Sequence, residues 1–154
     1  MIFNCSEQIS GYAKIEIFLL EEVSNWPIVL NDTNSSQLIF NPSIYSVEAS
    51  VIVDSIKVNY PKKQKPAGIS HDITIKMDFS TRSESLEQYL EQYENKPVVV
   101  KGFLNNGFVK LFGSNLEPLF LIYEVDDGVK SEIEGFTSIE IKGETSKRPV
   151  YYTV

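Results

Sequence analysis

The sequence predicts a mainly β protein: a two-sheet β-sandwich or barrel with one flanking helix over 83–94 and a long loop-bearing hairpin over 47–79. Three observations predict it. Apolar residues recur at every second position in several short runs, and only one window repeats at helical spacing. Turn-forming residues separate the runs, without the strand–helix alternation of a parallel sheet. The 154 residues are enough for one domain, 1–154, and too few for two ordinary ones. A 42% apolar content, with 9 Phe and 8 Tyr, supplies the large side chains of a sheet interior.

The first strand is expected in Ala13-Lys-Ile-Glu-Ile-Phe-Leu-Leu20, which alternates and then becomes wholly apolar as it enters a core. Residues 21–46 carry Trp26-Pro27, a polar run from Asn31 to Ser36 and Asn41-Pro42, which leaves room only for short strands near Ile28–Leu30 and Leu38–Phe40. From Val47 to Tyr60 the alternation slips between Val53 and Ile56, as a bulge or bend near Asp54-Ser55 would require. Ile73, Ile75, Met77 and Phe79 then share one face of a partner strand. The connection from Tyr60 to Gly68 is rich in Pro and Lys. It is read as unable to pair, and so as an arm projecting at about 60–70.

Leu86, Tyr89, Leu90 and Tyr93 set the helical stripe, with Ser85 and Gln88 at capping-box spacing and Asn95 and Pro97 closing the helix. Its back is acidic, through Glu84, Glu87, Glu91 and Glu94. Asn105-Asn106-Gly107 then turns a tight hairpin between Pro97–Leu104 and Phe108–Phe112. Strands over Leu119–Val125 and Ser138–Lys142 follow, and Val150–Thr153 is short enough to be an edge.

A net charge of -7 disfavours a simple reader of nucleic acid, because phosphate attracts clustered positive charge. The single Cys5 excludes an intrachain disulfide and any zinc site needing two thiolates. The first residues lack the basic start and apolar run of a secretory signal, and no later run approaches the ~20 residues of a membrane span. A soluble protein made in the cytoplasm is expected. Glycosylation triplets at Asn4, Asn31 and Asn34 then have no compartment in which to act.

Catalysis requires acids, bases or nucleophiles within hydrogen-bond reach of one another. The sole histidine, His71, sits beside Asp72 but is read as a solvated polar residue, and no Gly-x-Ser-x-Gly elbow accompanies it. Glu21-Glu22 and Asp126-Asp127 are adjacent acids of strand and turn. Neither makes a glycosidase pair, and Asp126-Asp127-Gly128 lacks the ligand spacing of a calcium loop. No phosphate-binding glycine motif occurs. The reading is therefore not an enzyme, with no catalytic, cofactor-binding or metal-binding residues. Lys62, Lys63 and Lys65 form the one basic cluster, and a basic arm on an acidic body lets copies dock head to tail.

The C-terminal third carries a further pattern. The Asn-Gly hairpin leads into Lys110-Leu-Phe-Gly-Ser-Asn-Leu-Glu-Pro-Leu119, then a strand and an Asp-Gly turn, then Glu134-Gly135 before Ser138-Ile-Glu-Ile-Lys142, and finally Arg148-Pro149 with Tyr151 and Tyr152. This resembles the tail-tube-like proteins of bacteriophages and prophages, including ring proteins of the neck and tail. The likeness runs by motif over 97–152 and by order of elements elsewhere. It implies a β-sandwich or barrel subunit that multimerises into a ring or tube of the virion, beside neighbouring phage neck and tail proteins. DNA would pass through the lumen without sequence-specific binding, and no membrane would be involved. Lys62, Lys63 and Lys65 are then the candidate inter-subunit arm, and no catalytic residue or cofactor is implied. The alternative is a non-catalytic carbohydrate- or ligand-binding β-sandwich module, with Trp26, Tyr45, Tyr60 and Tyr123 as a stacking platform.

Overall fold

The alternating runs fold into long strands in the computed structural model, which describes residues 11–40, 46–47, 56–79, 84–126 and 136–152. The strands are β1 (Tyr12–Leu19), β2 (Val23–Ser24), β3 (Ile39–Phe40), β4 (Ser46–Val47), β5 (Lys57–Asn59) and β6 (Lys62–Lys65), followed by β7 (Gly68–Phe79). Helix α1 (Glu84–Tyr93) precedes β8 (Pro97–Leu104), β9 (Val109–Phe112), β10 (Leu119–Asp126), β11 (Phe136–Thr145) and β12 (Val150–Tyr151). The main sheet runs β12-β9-β8-β10-β11-β7-β5, with β1 also on β8, β4 on β1 and β6 on β7. Strands β2 and β3 make a separate small sheet. The protein is therefore mainly β, a curled antiparallel half-barrel with a small second sheet and little helix.

Two observations show how the sheet curls. Strand β8 has β1 along one edge, while its other edge is shared by β9 and then β10. Between the pairs Val100↔Phe112 and Val98↔Leu119, β8 advances two residues and the opposing strand seven, so five extra residues leave the ladder. Beyond that excursion β10 separates from β8. The vacated edge is taken by the end of α1, where the Asn95 N–H donates to Leu121 O at 3.1 Å and the Tyr123 N–H to Glu94 Oε2 at 3.4 Å. At the other end of the curl, Lys110 Nζ of β9 donates to the hydroxyl of Tyr60, between β5 and β6, at 2.7 Å. The Tyr60 and Tyr12 rings both pack against Phe112 there, closing the half-barrel with aromatic rings.

The concave face holds the main core. Ile15, Ile75, Val100, Phe112, Leu121 and Ile141 are completely buried, with Leu90 and Tyr93 of α1 packed among their neighbours. A second cluster lies on the convex face. Phe18, Val99, Leu111 and Val150 are covered there by Val23 and Leu38, with Trp26, Leu30 and Phe40 around them. Both faces of β8 are thus buried, which is why Val98, Val99 and Val100 succeed one another without a polar residue.

The connection at 60–68 differs from the sequence reading. Residues 62–65 pair with β7 in the same register as β5, through Asn59↔Thr74 and Lys62↔His71, so the hairpin continues to a turn at Pro66-Ala67. Pro61 is tolerated because this is an edge, and its carbonyl still accepts from the Asp72 N–H at 3.1 Å. Lysines suit such an edge because they discourage another strand from pairing.

Other expectations shift as well. Ile28–Leu30 forms no strand: the Val29 carbonyl accepts from the Asn34 amide at 2.7 Å and the Asn31 N–H donates to Asn34 Oδ1 at 2.8 Å, so local side chains take the ladder's place. Ser85 lies inside the first turn of α1 rather than before it. The Asn-Gly hairpin forms as read, as a three-residue turn with Gly107 at a φ of +94° and its N–H donating to Leu104 O. Cys5, Tyr45 and the bend near Asp54-Ser55 lie outside the described residues.

Candidate docking site at one end of the sheet

Three loops meet where β9, β11 and β12 end: residues 28–30, the excursion 113–117 and residues 145–149. They enclose a pocket of about 170 Å³ with Leu30, Leu111 and Val150 in its wall. Ile28 and Leu116, also in the wall, are 94% and 77% exposed. Apolar side chains so open around a concavity make it a candidate contact surface.

Side chains bonded to backbone hold the walls. The excursion closes on itself, with the Ser114 N–H donating to Glu117 O and the Glu117 N–H to Ser114 Oγ, both at 3.1 Å. The Glu117 carboxylate then accepts from the Ser146 N–H at 2.9 Å and from its hydroxyl at 2.9 Å, joining the excursion to the 145–149 loop. Arg148 clamps the remaining loop, donating from Nη2 to Asp32 Oδ2 at 2.7 Å and from Nη1 to Asp32 Oδ1 at 3.3 Å. The Tyr151 N–H also donates to Asp32 Oδ1, at 3.0 Å, and the buried Ser35 hydroxyl donates to Tyr151 O at 2.8 Å. The hydrogen bond from Arg148, then that from the Tyr151 N–H, holds the Asp32 carboxyl below the usual carboxylate range. These contacts also occupy the outer backbone groups of β12 at Tyr151, which a sheet edge otherwise offers to another strand.

Beside the pocket, Lys101 Nζ lies 3.7 Å from the Phe40 ring centroid, 4.2 Å from Tyr152 and 5.4 Å from Phe18. The cation–π contacts fasten β3 to the convex face. Burial, aided by Lys14 and opposed by Glu16, pushes the Lys101 ammonium below its ordinary value.

The structure places the three predicted arm lysines along β6. Lys63 pairs with Asp72 and Lys65 with Glu144, which leaves Lys62 and, in the neighbouring loop, Lys147 without carboxylate partners among the described residues. His71 is 5% exposed rather than solvated. Pairing of β6 puts position 71 in the inward row with Ile73 and Ile75, and its Nδ1 has no hydrogen-bond partner among the described residues. The aromatic residues Trp26, Tyr60 and Tyr123 do not share a platform: Trp26 belongs to the convex cluster and the two tyrosines to the concave one. Among the described residues no group of three His, Cys, Asp or Glu side chains could hold a metal ion, and no helix is long and apolar enough to cross a membrane.

The strand directions separate charge. Because β11 returns from Phe136 to Thr145, the 145–149 loop and the lysines of β6 lie at one end of the β10–β11 pair. Towards the other end stand Glu94, beside Tyr123, and the exposed Glu124, with exposed Glu91 on the helix. Partial burial and then the Glu91, Glu94 and Glu87 carboxylates push the Tyr123 phenol up. The pocket was hidden from sequence reasoning because its walls are far apart in the chain. Compared with family models, curated proteins and solved structures, the chain finds no match.

Proposed function

We propose that this chain is a repeating structural subunit that self-assembles into a ring or tube of a bacteriophage neck or tail, forming a channel for DNA. The observation that carries the reading is the polarity of the subunit: an apolar pocket beside surplus Lys62 and Lys147 at one end of the β10–β11 pair, and carboxylates towards the other. Unlike ends bind one another head to tail, and a head-to-tail contact propagates into a ring or a filament. A net charge of -7 suits a wall past which DNA must slide, since few phosphate counterions are released on contact. In the virion the ring would sit against neighbouring neck and tail proteins, after synthesis in the host cytoplasm.

Light scattering and negative-stain microscopy over a concentration series test the reading. Rings or short tubes that grow in with concentration are expected. A strict monomer at high concentration, even with phage neck and tail proteins added, would overturn it.

A further inference from the structure

We propose that the pocket takes one apolar side chain from a second copy of the chain, Ile122 of the outward row of β10, while Glu124 of that row meets Lys147 at the pocket's rim. The inference rests on the assembly reading above and names its contact. Size comes first: a cavity of about 150 Å³ holds one benzene, so a pocket of about 170 Å³ suits one large side chain and is too small for a drug-sized ligand.

The choice of side chain follows from what the surface offers. Phe120 and Ile122 are 44% and 58% exposed on the convex side of β10, where no covering segment reaches them among the described residues. They point the same way as Glu124, because residues two apart share a strand face. Phe108, another exposed ring, already packs edge-on against Tyr151 at 5.7 Å. Ile69 stands on the lysine hairpin itself, where like charge opposes approach to Lys147. Among the described residues the β10 row joins two open apolar side chains to a carboxylate, which suits the Lys147 rim of the pocket. The pocket's own Glu117 carboxylate is taken up by Ser146 and its Arg148 by Asp32.

Donor row and acceptor pocket are different surfaces, so the contact is heterologous and each subunit offers one of each. That property gives the test. Leu116→Asp blocks the pocket and Ile122→Asp blocks the row, and both positions are exposed enough for folding to survive, as thermal melting checks. Each variant alone should be monomeric under conditions where the wild type assembles. An equimolar mixture should recover association but stop at heterodimers, because only one competent contact remains. Assembly by either variant alone, or a mixture that stays monomeric, would overturn this contact while leaving ring formation standing. A monomeric wild type would instead remove the assembly reading itself.

Discussion

The convex face of the sheet differs between its two halves. Across β1, β8, β9 and β12 it lies under residues 20–40, and the strands there carry Phe18, Val99, Leu111 and Val150 outward. Across β10, β11 and β7 it is bare among the described residues, and the outward positions are Phe120, Ile122, Glu140, Lys142 and Lys76. The concave faces of both halves are mainly apolar, with His71, Thr137 and Thr145 buried among the apolar side chains. A second apolar face is needed only where something covers it, and Phe120 and Ile122 break this rule on the bare half.

The largest effect should come from the covered half. Phe18→Ala empties the convex cluster and is expected to cost about 3–5 kcal/mol in urea unfolding followed by Trp26 fluorescence, whereas Lys76→Ala on the bare half should stay within about 0.5 kcal/mol. Equal losses would erase the distinction between the halves. Gly143→Ala tests whether the concave side of the bare half is as tightly packed. The added Cβ would stand 2.3 Å from Leu119 Cδ2 and 3.1 Å from Pro118 O, so a loss of about 1–3 kcal/mol is expected from thermal melting.

A smaller effect sharpens how the covering segment is fastened. The Asp32 carboxyl is held below 3.8, so its contribution is present above that pH and is lost as pH falls through the lower, folded value. Trp26 fluorescence should therefore change on acidification below about pH 4, and Asp32→Asn should remove that step at a cost within the ~0.2–1 kcal/mol of exposed ion pairs. The least perturbing measurement concerns the aromatic closure. Burial, then Tyr60 and Tyr151, raises the Tyr12 phenol above its ordinary 10.0. Its contribution is present below pH 10 and is lost in alkali as the unfolded chain ionises first. Ultraviolet titration should show the Tyr12 phenol resisting ionisation until the protein unfolds, and Tyr12→Phe should remove that component.

Much of the sheet could be read from the sequence because alternation is local. The runs at 12–19, 73–79 and 97–104, the Asn-Gly turn and the helical stripe through Leu90 and Tyr93 all state their own conformation. What escaped was set by neighbours. Lys62–Lys65 pairs because β7 extends far enough to receive it, and His71 is buried because that pairing continues past it. The pocket at 28–30, 113–117 and 145–150 exists only once β9, β11 and β12 end together. A turn former such as Asn31, Ser114 or Asn115 states that the chain bends and not what the bend will meet.

The five-residue excursion between β9 and β10 separates two properties that a single strand would bind together. Val100↔Phe112 on one side and Val98↔Leu119 on the other keep their registers whatever spans the gap. Residues 114–117 can therefore lengthen, shorten or change chemistry without displacing the core, while the wall of the pocket is remade. Under the docking contact proposed above, diversification should accumulate in that segment first, leaving the architecture unaltered.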